Sequence, residues 1–418
     1  MRPRQRHVVL LLFALSACAI PRQRTAATAS AELAANRELS AEEQARQALD
    51  RLAFGPRPGE IARVRDMGVD RWIDEQLHPD RISDRTSDQL MQAFPLLHAR
   101  PADLLGDLAP PHAGAANDSA ARRAVQMRYN DVGREVQSAR LARATSSERQ
   151  LEEVLVDLWA NHFSVFAGKG PVRLYLAQYE EDAIRPHVLG KFRDLLGAVA
   201  HSPAMLFYLD NWQSAADSLH PTLARRGGRR PIVQRGPRAP RGLNENYARE
   251  LMELHTLGVD GGYTQHDVIE VARAFTGWSI AAPREGGGFV FRPALHDAGE
   301  KTVLGIRIRA GGGESDGERV LDILARHPST ARMVAKTLAR RFVSDDPPPA
   351  LVDRAAGTYE RTNGDLREVV RTIVTSPEFF SRAAYRAKVK SPLELVASAL
   401  RAAGIAADTT PRAARAVA

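Results

Sequence analysis

The chain of 418 residues contains a single cysteine, Cys18. Without a second thiol there is no intrachain disulfide, no cysteine-ligated zinc or iron–sulfur cluster, and no c-type haem attachment. Past Cys18 there is no thiol nucleophile either. Long apolar runs are equally scarce. Beyond Leu15 nothing approaches the roughly 20 apolar residues that a bilayer-spanning helix needs. Several catalytic signatures are missing as well: His-Glu-x-x-His, the phosphate-binding Gly-x-x-x-x-Gly-Lys, and the dinucleotide fingerprint. No Gly-x-Ser-x-Gly nucleophile elbow is expected either.

Acids are missing from one stretch. Between Arg225 and Arg241 there are seven arginines and no Asp or Glu. Arg2, Arg4 and Arg6 open the chain. Removing these ten from the net charge of +8 leaves the remainder at −2. The basicity therefore sits in one Gly/Pro/Arg-rich insertion, residues 214–241, rather than on a folded face. Nucleic-acid recognition needs a basic surface with stacking or base-reading groups. The Arg225–Arg241 stretch has no aromatic residue, so no nucleic-acid partner is expected. A solvated loop, or a contact with lipid headgroups or anionic polysaccharide, fits its composition.

What is present begins with an export signal. Three arginines precede the short apolar run Val8–Leu15, which is the build of a signal peptide over residues 1–17. Leu15-Ser16-Ala17-Cys18 resembles a bacterial lipobox, which marks Cys18 for lipidation and as the first mature residue. Acyl chains contribute about 0.8 kcal/mol per buried methylene, so a multiply acylated Cys18 anchors the chain to a membrane. Ala19 in place of Asp favours the outer membrane, by resemblance to Gram-negative lipoproteins. Residues 18–39, rich in Ala, Thr, Ser and Arg, read as a flexible tether.

Residues 40–408 read as one multi-helical globular domain, mostly α, with a minor β-hairpin element. Ser40-x-x-Glu43, Thr264-x-x-Asp267 and Ser391-Pro392-x-Glu394 are helix-start boxes. Helices are predicted over 118–143 and 147–166. Gly170-Pro171, Ser202-Pro203 and Ser376-Pro377 mark further starts. Residues 286–293 and 301–307 have strand character and are expected to pair as one small hairpin. A disordered tail is expected over 409–418.

The residues resemble a known family, the bacterial proteins carrying domain of unknown function 1800. The matching motifs begin with Arg51-Leu52-Ala53-Phe54-Gly55, Trp72–Leu77 and Trp159-Ala160-Asn161-His162-Phe163. They continue through Leu209-Asp210-Asn211, Gly242–Leu251 and Glu253–Val259. Gly262-Tyr263-Thr264, Ala274–Trp278, His296-Asp297-x-Gly299-x-Lys301-Thr302 and Lys390–Glu394 complete them. The resemblance implies an exported, mostly helical protein with no settled activity. It also implies a partner: an exported protein of sulfatase-like type encoded nearby. Relatives usually run well past Leu400, so the tail here looks like a truncation.

The densest polar segment is Asn244–His255, with three acids, two amides, an arginine and a histidine. On a helix at ~100° per residue, Glu250 and Glu253 fall within about 40° of Asn246 on one stripe. His255 falls about 180° away, outside the stripe unless the helix ends or bends first. Two carboxylates one turn apart can serve as an acid–base pair, or can ligate a divalent metal with imidazoles from elsewhere. The metal set expected is His162, Glu250, Glu253 and His296, with Glu250 and Glu253 as the catalytic pair. Asp210 and Asp297 are further partners. The bland alternative is a solvated face with local ion pairs, which Arg249 can join.

Two functions fit these signals. The first is a hydrolase, metal-assisted or not, acting on envelope or extracellular polymer. The second is a non-catalytic envelope lipoprotein that binds a protein partner or a glycan. They part on one geometric point. A metal site needs His162, Glu250, Glu253 and His296 within about 5 Å of each other, given ligand distances near 2.0–2.6 Å.

Overall fold

The computed structural model describes residues 36–107, 119–217, 222–223 and 242–405. The signal peptide, Cys18, nearly all of the tether, most of the basic insertion and the tail lie outside the described residues. Helices α1 (Ala41–Leu52), α2 (Glu60–Met67) and α3 (Val69–Gln76) come first. They are followed by α4 (Arg85–Met91), α5 (Pro101–Asp107), α6 (Ser119–Ser146), α7 (Gln150–His162) and α8 (Val172–Gln178). Next come α9 (Phe192–His201), α10 (Pro203–Tyr208), α11 (Glu245–Glu253) and α12 (Gln265–Ala274). Four short strands intervene: β1 (Trp278–Ile280), β2 (Phe289–Phe291), β3 (Lys301–Val303) and β4 (Ile306–Ile308). The described helices close with α13 (Glu314–Arg326), α14 (Pro328–Phe342), α15 (Pro349–Arg361), α16 (Leu366–Val374) and α17 (Pro392–Ala402). The protein is mostly α with minor β elements, as the pattern predicts.

All three helix-start boxes form. Ser40, Thr264 and Ser391 each accept from the third residue of their helix, whose acid reaches back to the cap. Such caps stabilise a helix start by about 1 kcal/mol. Other starts differ from expectation. Pro171 caps α8 from outside, and Ser376-Pro377 opens only turns. The helix expected over 147–166 stops at His162, because Phe163 leaves helical geometry at φ −97° and ψ 48°. That stop puts His162 at a helix end.

The β element is two hairpins rather than one. Trp278–Ile280 pairs with Phe289–Phe291, and Lys301–Val303 pairs with Ile306–Ile308. The run 301–307 hides a reversal. Leu304 and Gly305 both take left-handed φ, 50° and 76°, which is the geometry of a two-residue hairpin turn.

One contiguous apolar core extends from Leu39 to Ala397 and contains Trp159, Phe192, Phe275 and Trp278. Helix α8 runs directly into a π-helical turn, Tyr179–Ile184. This turn aims Glu180 inward at Arg140, while Arg185 pairs with Glu153 on α7. Burial opposes the charge on Arg185, but Glu153, Glu181 and Glu180 outweigh it and raise its pKa. The N-terminal and C-terminal helices interlock. Gln47 donates to Phe379 O at 3.1 Å, and Arg401 donates to Gly55 O at 2.7 Å and to Glu60 at 3.1 Å. Ser214 bridges to Gly242, and Thr222 bridges to Asp297.

Candidate functional site

Helix α11 presents the acidic stripe. Asn244 caps it, accepting from Tyr247 N at 3.1 Å and donating to Leu209 O at 2.7 Å. Tyr247, Ala248, Leu251 and Met252 are buried. The helix ends at Glu253, and the next two residues depart from the wheel. Leu254, placed by the wheel on the apolar face, is 52% exposed. The amides of both Leu254 and His255 reach back to Glu250 O, and His255 swings into the core. The bend that the wheel required is present.

Glu250 and Glu253 remain neighbours. Burial, and then the Glu253 charge, raise the pKa of Glu250. Glu253 accepts from the Tyr263 hydroxyl at 2.9 Å. Arg249 bonds Gln265 at 2.7 Å rather than either acid. Asn246 is exposed.

His255 meets His162 instead. Their ring centroids lie 6.4 Å apart, and Phe163 packs edge-on between them. The His162 Nε2 lies 3.3 Å from the His255 carbonyl. Burial drops the pKa of His162 to about 4. Burial and then His162 drop that of His255 to about 3. Both rings are therefore neutral at physiological pH, because a charge there has no compensating acid.

His296 occupies a different place. It is fully buried, its Nδ1 2.7 Å from Thr276 O and its Nε2 3.2 Å from Asp316. Lys301 donates to the same Asp316 oxygen at 2.8 Å, and to Asp297 O and Gly299 O. Asp297 pairs with Arg273 at 2.7 Å, and Arg273 with Glu270 at 2.6 Å. Burial disfavours the charge on Asp297, but Arg273 and the Gly299 amide lower its pKa overall. Each of these charges is paired and bonded, so the cluster fastens the β hairpins to α12 and α13. It gives no substrate access to His296.

The expected metal quartet is therefore not brought together. Glu250 and Glu253 share one stripe, His162 abuts His255, and His296 is sealed with Asp316. Among the described residues, no group of three or more His, Cys, Asp or Glu side chains is arranged to hold a metal ion. Asp210 does not cap a helix. It adopts left-handed φ, 61°, and binds Lys169 at 2.8 Å.

One serine does stand in Gly-x-Ser-x-Gly spacing, Gly313-Glu314-Ser315-Asp316-Gly317. It is not a nucleophile elbow. Ser315 lies inside α13 and donates to Gly312 O at 2.7 Å, away from any histidine. Gly317 is there for packing. A Cβ on it would lie 2.5 Å from the Trp278 indole.

A cavity that one of these motifs reaches, through Ala160 and Asn161, lies between α6, α7 and α8, with a volume of about 490 Å³. Asn161, next to His162, lines it with Asn130, Gln137, Arg134, Arg140 and Arg173. The guanidiniums are largely spoken for. Arg134 pairs with Asp131, Arg140 with Glu180, and Arg173 donates to Asn130 at 2.8 Å. The cavity thus presents oriented amide and guanidinium groups without a large excess of charge. Sequence reading missed it because its walls come from three helices with no common motif. The sequence signal is the motif Trp159-Ala160-Asn161-His162-Phe163, which sets the polar Asn161 at the end of α7.

A family model described as "Protein of unknown function (DUF1800)" matches residues 47–417. No curated protein and no solved structure matches the chain.

Proposed function

The chain belongs to the DUF1800 family, whose description names no activity, and we propose from its own geometry that it is a glycan-binding lipoprotein of the cell envelope. In this reading it is exported, anchored to the outer membrane through lipidated Cys18, and holds polysaccharide in the cavity between α6, α7 and α8. The carrying observation is that cavity of about 490 Å³, walled by Asn130, Gln137, Asn161 and internally paired arginines. Sugar hydroxyls need many oriented donors and acceptors, which the amides, the acid-paired Arg134 and Arg140, and Arg173 supply. The basic insertion, and an exported sulfatase-like partner, are accessory to this reading.

The test is affinity electrophoresis of the protein through gels containing soluble glucan, chitosan fragments or peptidoglycan fragments. Retardation is expected with at least one of them. Asn161→Ala and Arg173→Ala should weaken it by about tenfold, as loss of a good hydrogen bond implies. Unretarded migration in every gel sinks the reading.

A second reading, a hydrolase of envelope polymer, draws on the neighbouring Glu250 and Glu253. Its raised pKa suits a general acid, with Glu253, oriented by Tyr263, as the base. Release of reducing ends that Glu250→Gln abolishes would carry this reading. No release from any bound polymer would end it.

A further inference from the structure

Among the family motifs that take no part in the glycan cavity are Arg51–Gly55 and Lys390–Glu394. They lie far apart in sequence and meet in space. Together they wall a second cavity, of about 430 Å³, between α1, α14, α17 and residues 386–390. Six cations line it: Arg46, Arg51, Arg341, Arg386, Lys388 and Lys390. Only two acids do, Asp50 and Glu394.

Pairing accounts for part of this charge. Arg341 bonds Glu394 at 2.7 Å, and Lys388 pairs with Asp345. Arg46, Arg51, Arg386 and Lys390 remain, and the one acid near all four is Asp50. Arg51 is the telling residue. It is 6% exposed, its terminal nitrogen reaches only Ala384 O at 3.3 Å, and its Nε is buried with no hydrogen-bond partner. A buried cation with an unused donor and no bonded carboxylate is costly unless an anion completes it. Burial, and repulsion from Arg341, pull the Arg51 pKa down to about 10. Arg386 is held at the rim in left-handed geometry, φ 57°, a conformation that an arginine adopts only under constraint.

We infer that this cavity binds a phosphoryl group, with Arg51 as its buried anchor and Arg46, Arg386 and Lys390 around it. Guanidinium forks match phosphoryl oxygens, and a dianion balances the surplus cations better than a carboxylate does. Asp50 selects among dianions. Burial raises its pKa despite the four cations around it. A carboxyl and a phosphoryl oxygen can share one proton, because their pKa values are within a few units of each other. Sulfate is too weak a base to share it and meets Asp50 as a repelling charge. The room beyond one phosphoryl group fits a small carrier, so the source is a free phosphate ester or a phospholipid headgroup.

The test uses the full chain, titrated with inorganic phosphate, glycerol 1-phosphate and sulfate, with the thermal midpoint and calorimetry as readouts. Sub-millimolar binding of the two phosphates is expected, with sulfate weaker by about tenfold or more. Lys390→Gln and Arg386→Gln, at the rim, should each weaken phosphate by about tenfold while the unliganded protein stays folded. Arg51→Met should abolish it. Asp50→Asn should narrow the gap between phosphate and sulfate. Flotation with phosphatidic-acid vesicles, competed by glycerol 1-phosphate, assigns the headgroup as the source, and titration without flotation assigns the soluble ester. No phosphate binding, equal binding of sulfate, or binding unchanged in both rim variants overturns the inference. None of these outcomes bears on the glycan cavity, which shares no residue with this one.

Discussion

Acidification should destabilise this protein through two rings. His162 and His255 are neutral in the fold, with pKa values near 4 and 3. In the unfolded chain each returns to about 6.5. A folded pKa below the unfolded one gives stability that is complete above pH ~6.5 and is lost as pH falls toward the folded value. Between pH 7 and pH 5 the unfolded chain gains about 0.7 proton per ring and the native state almost none. Each ring then costs about 2 kcal/mol, and the pair about 4 kcal/mol. That is a large share of the roughly 5–15 kcal/mol typical of a domain. The assay is urea unfolding from pH 7.5 to pH 5, comparing the protein with His255→Phe. The near-isosteric ring keeps the contact with Phe163 but cannot titrate. The variant should lose about 2 kcal/mol of the stability change over this window, the share of one ring. Identical slopes in the two proteins refute the reasoning. So does an imidazole of this pair that titrates above pH 6 by NMR.

Three further outcomes are expected. Asp297→Ala should cost about 1.5–3 kcal/mol in denaturant unfolding, because it leaves Arg273 with Glu270 alone and loosens the Thr276–His296 loop. Ser315→Ala should leave stability within about 0.5 kcal/mol and any activity intact, whereas Gly317→Ala should lose about 1–3 kcal/mol by forcing Trp278 aside. Equal effects of these two would return Ser315 to consideration as a nucleophile. Cys18→Ala should move the protein from the membrane to the soluble fraction on cell fractionation, and an unchanged membrane fraction would end the lipid-anchor reading.

Local signals were the legible part of this fold. Caps such as Ser40, Thr264 and Ser391 act through atoms three residues apart, so their chemistry is written in adjacent letters. The hairpins failed where a turn residue disguised itself. Leu304 at positive φ looks like a strand residue, and only tertiary context imposes the reversal. The acidic stripe was half legible. The wheel placed Glu250 beside Glu253 correctly, but where the helix ends, and so where His255 points, is set by tertiary packing. Whether His162 and His296 share a site depends on contacts between distant elements, which no spacing rule encodes. Both cavities are of this kind: their walls meet only after the core has formed.

The interlocked helices carry a consequence for biogenesis. Helix α1 is sealed by residues made more than three hundred positions later, through Gln47–Phe379, Arg51–Ala384 and Gly55–Arg401. A chain emerging from the ribosome N-terminus first holds these partners apart until α17 has been made. Until then Gln47, Arg51 and Gly55 lack these partners, while α1 packs on the adjacent α2 and α3. On the proposed export route, where the chain leaves the cytoplasm as a thread, such delay is an advantage. Helix α17 acts as a latch, and premature closure is impossible because the latch does not yet exist.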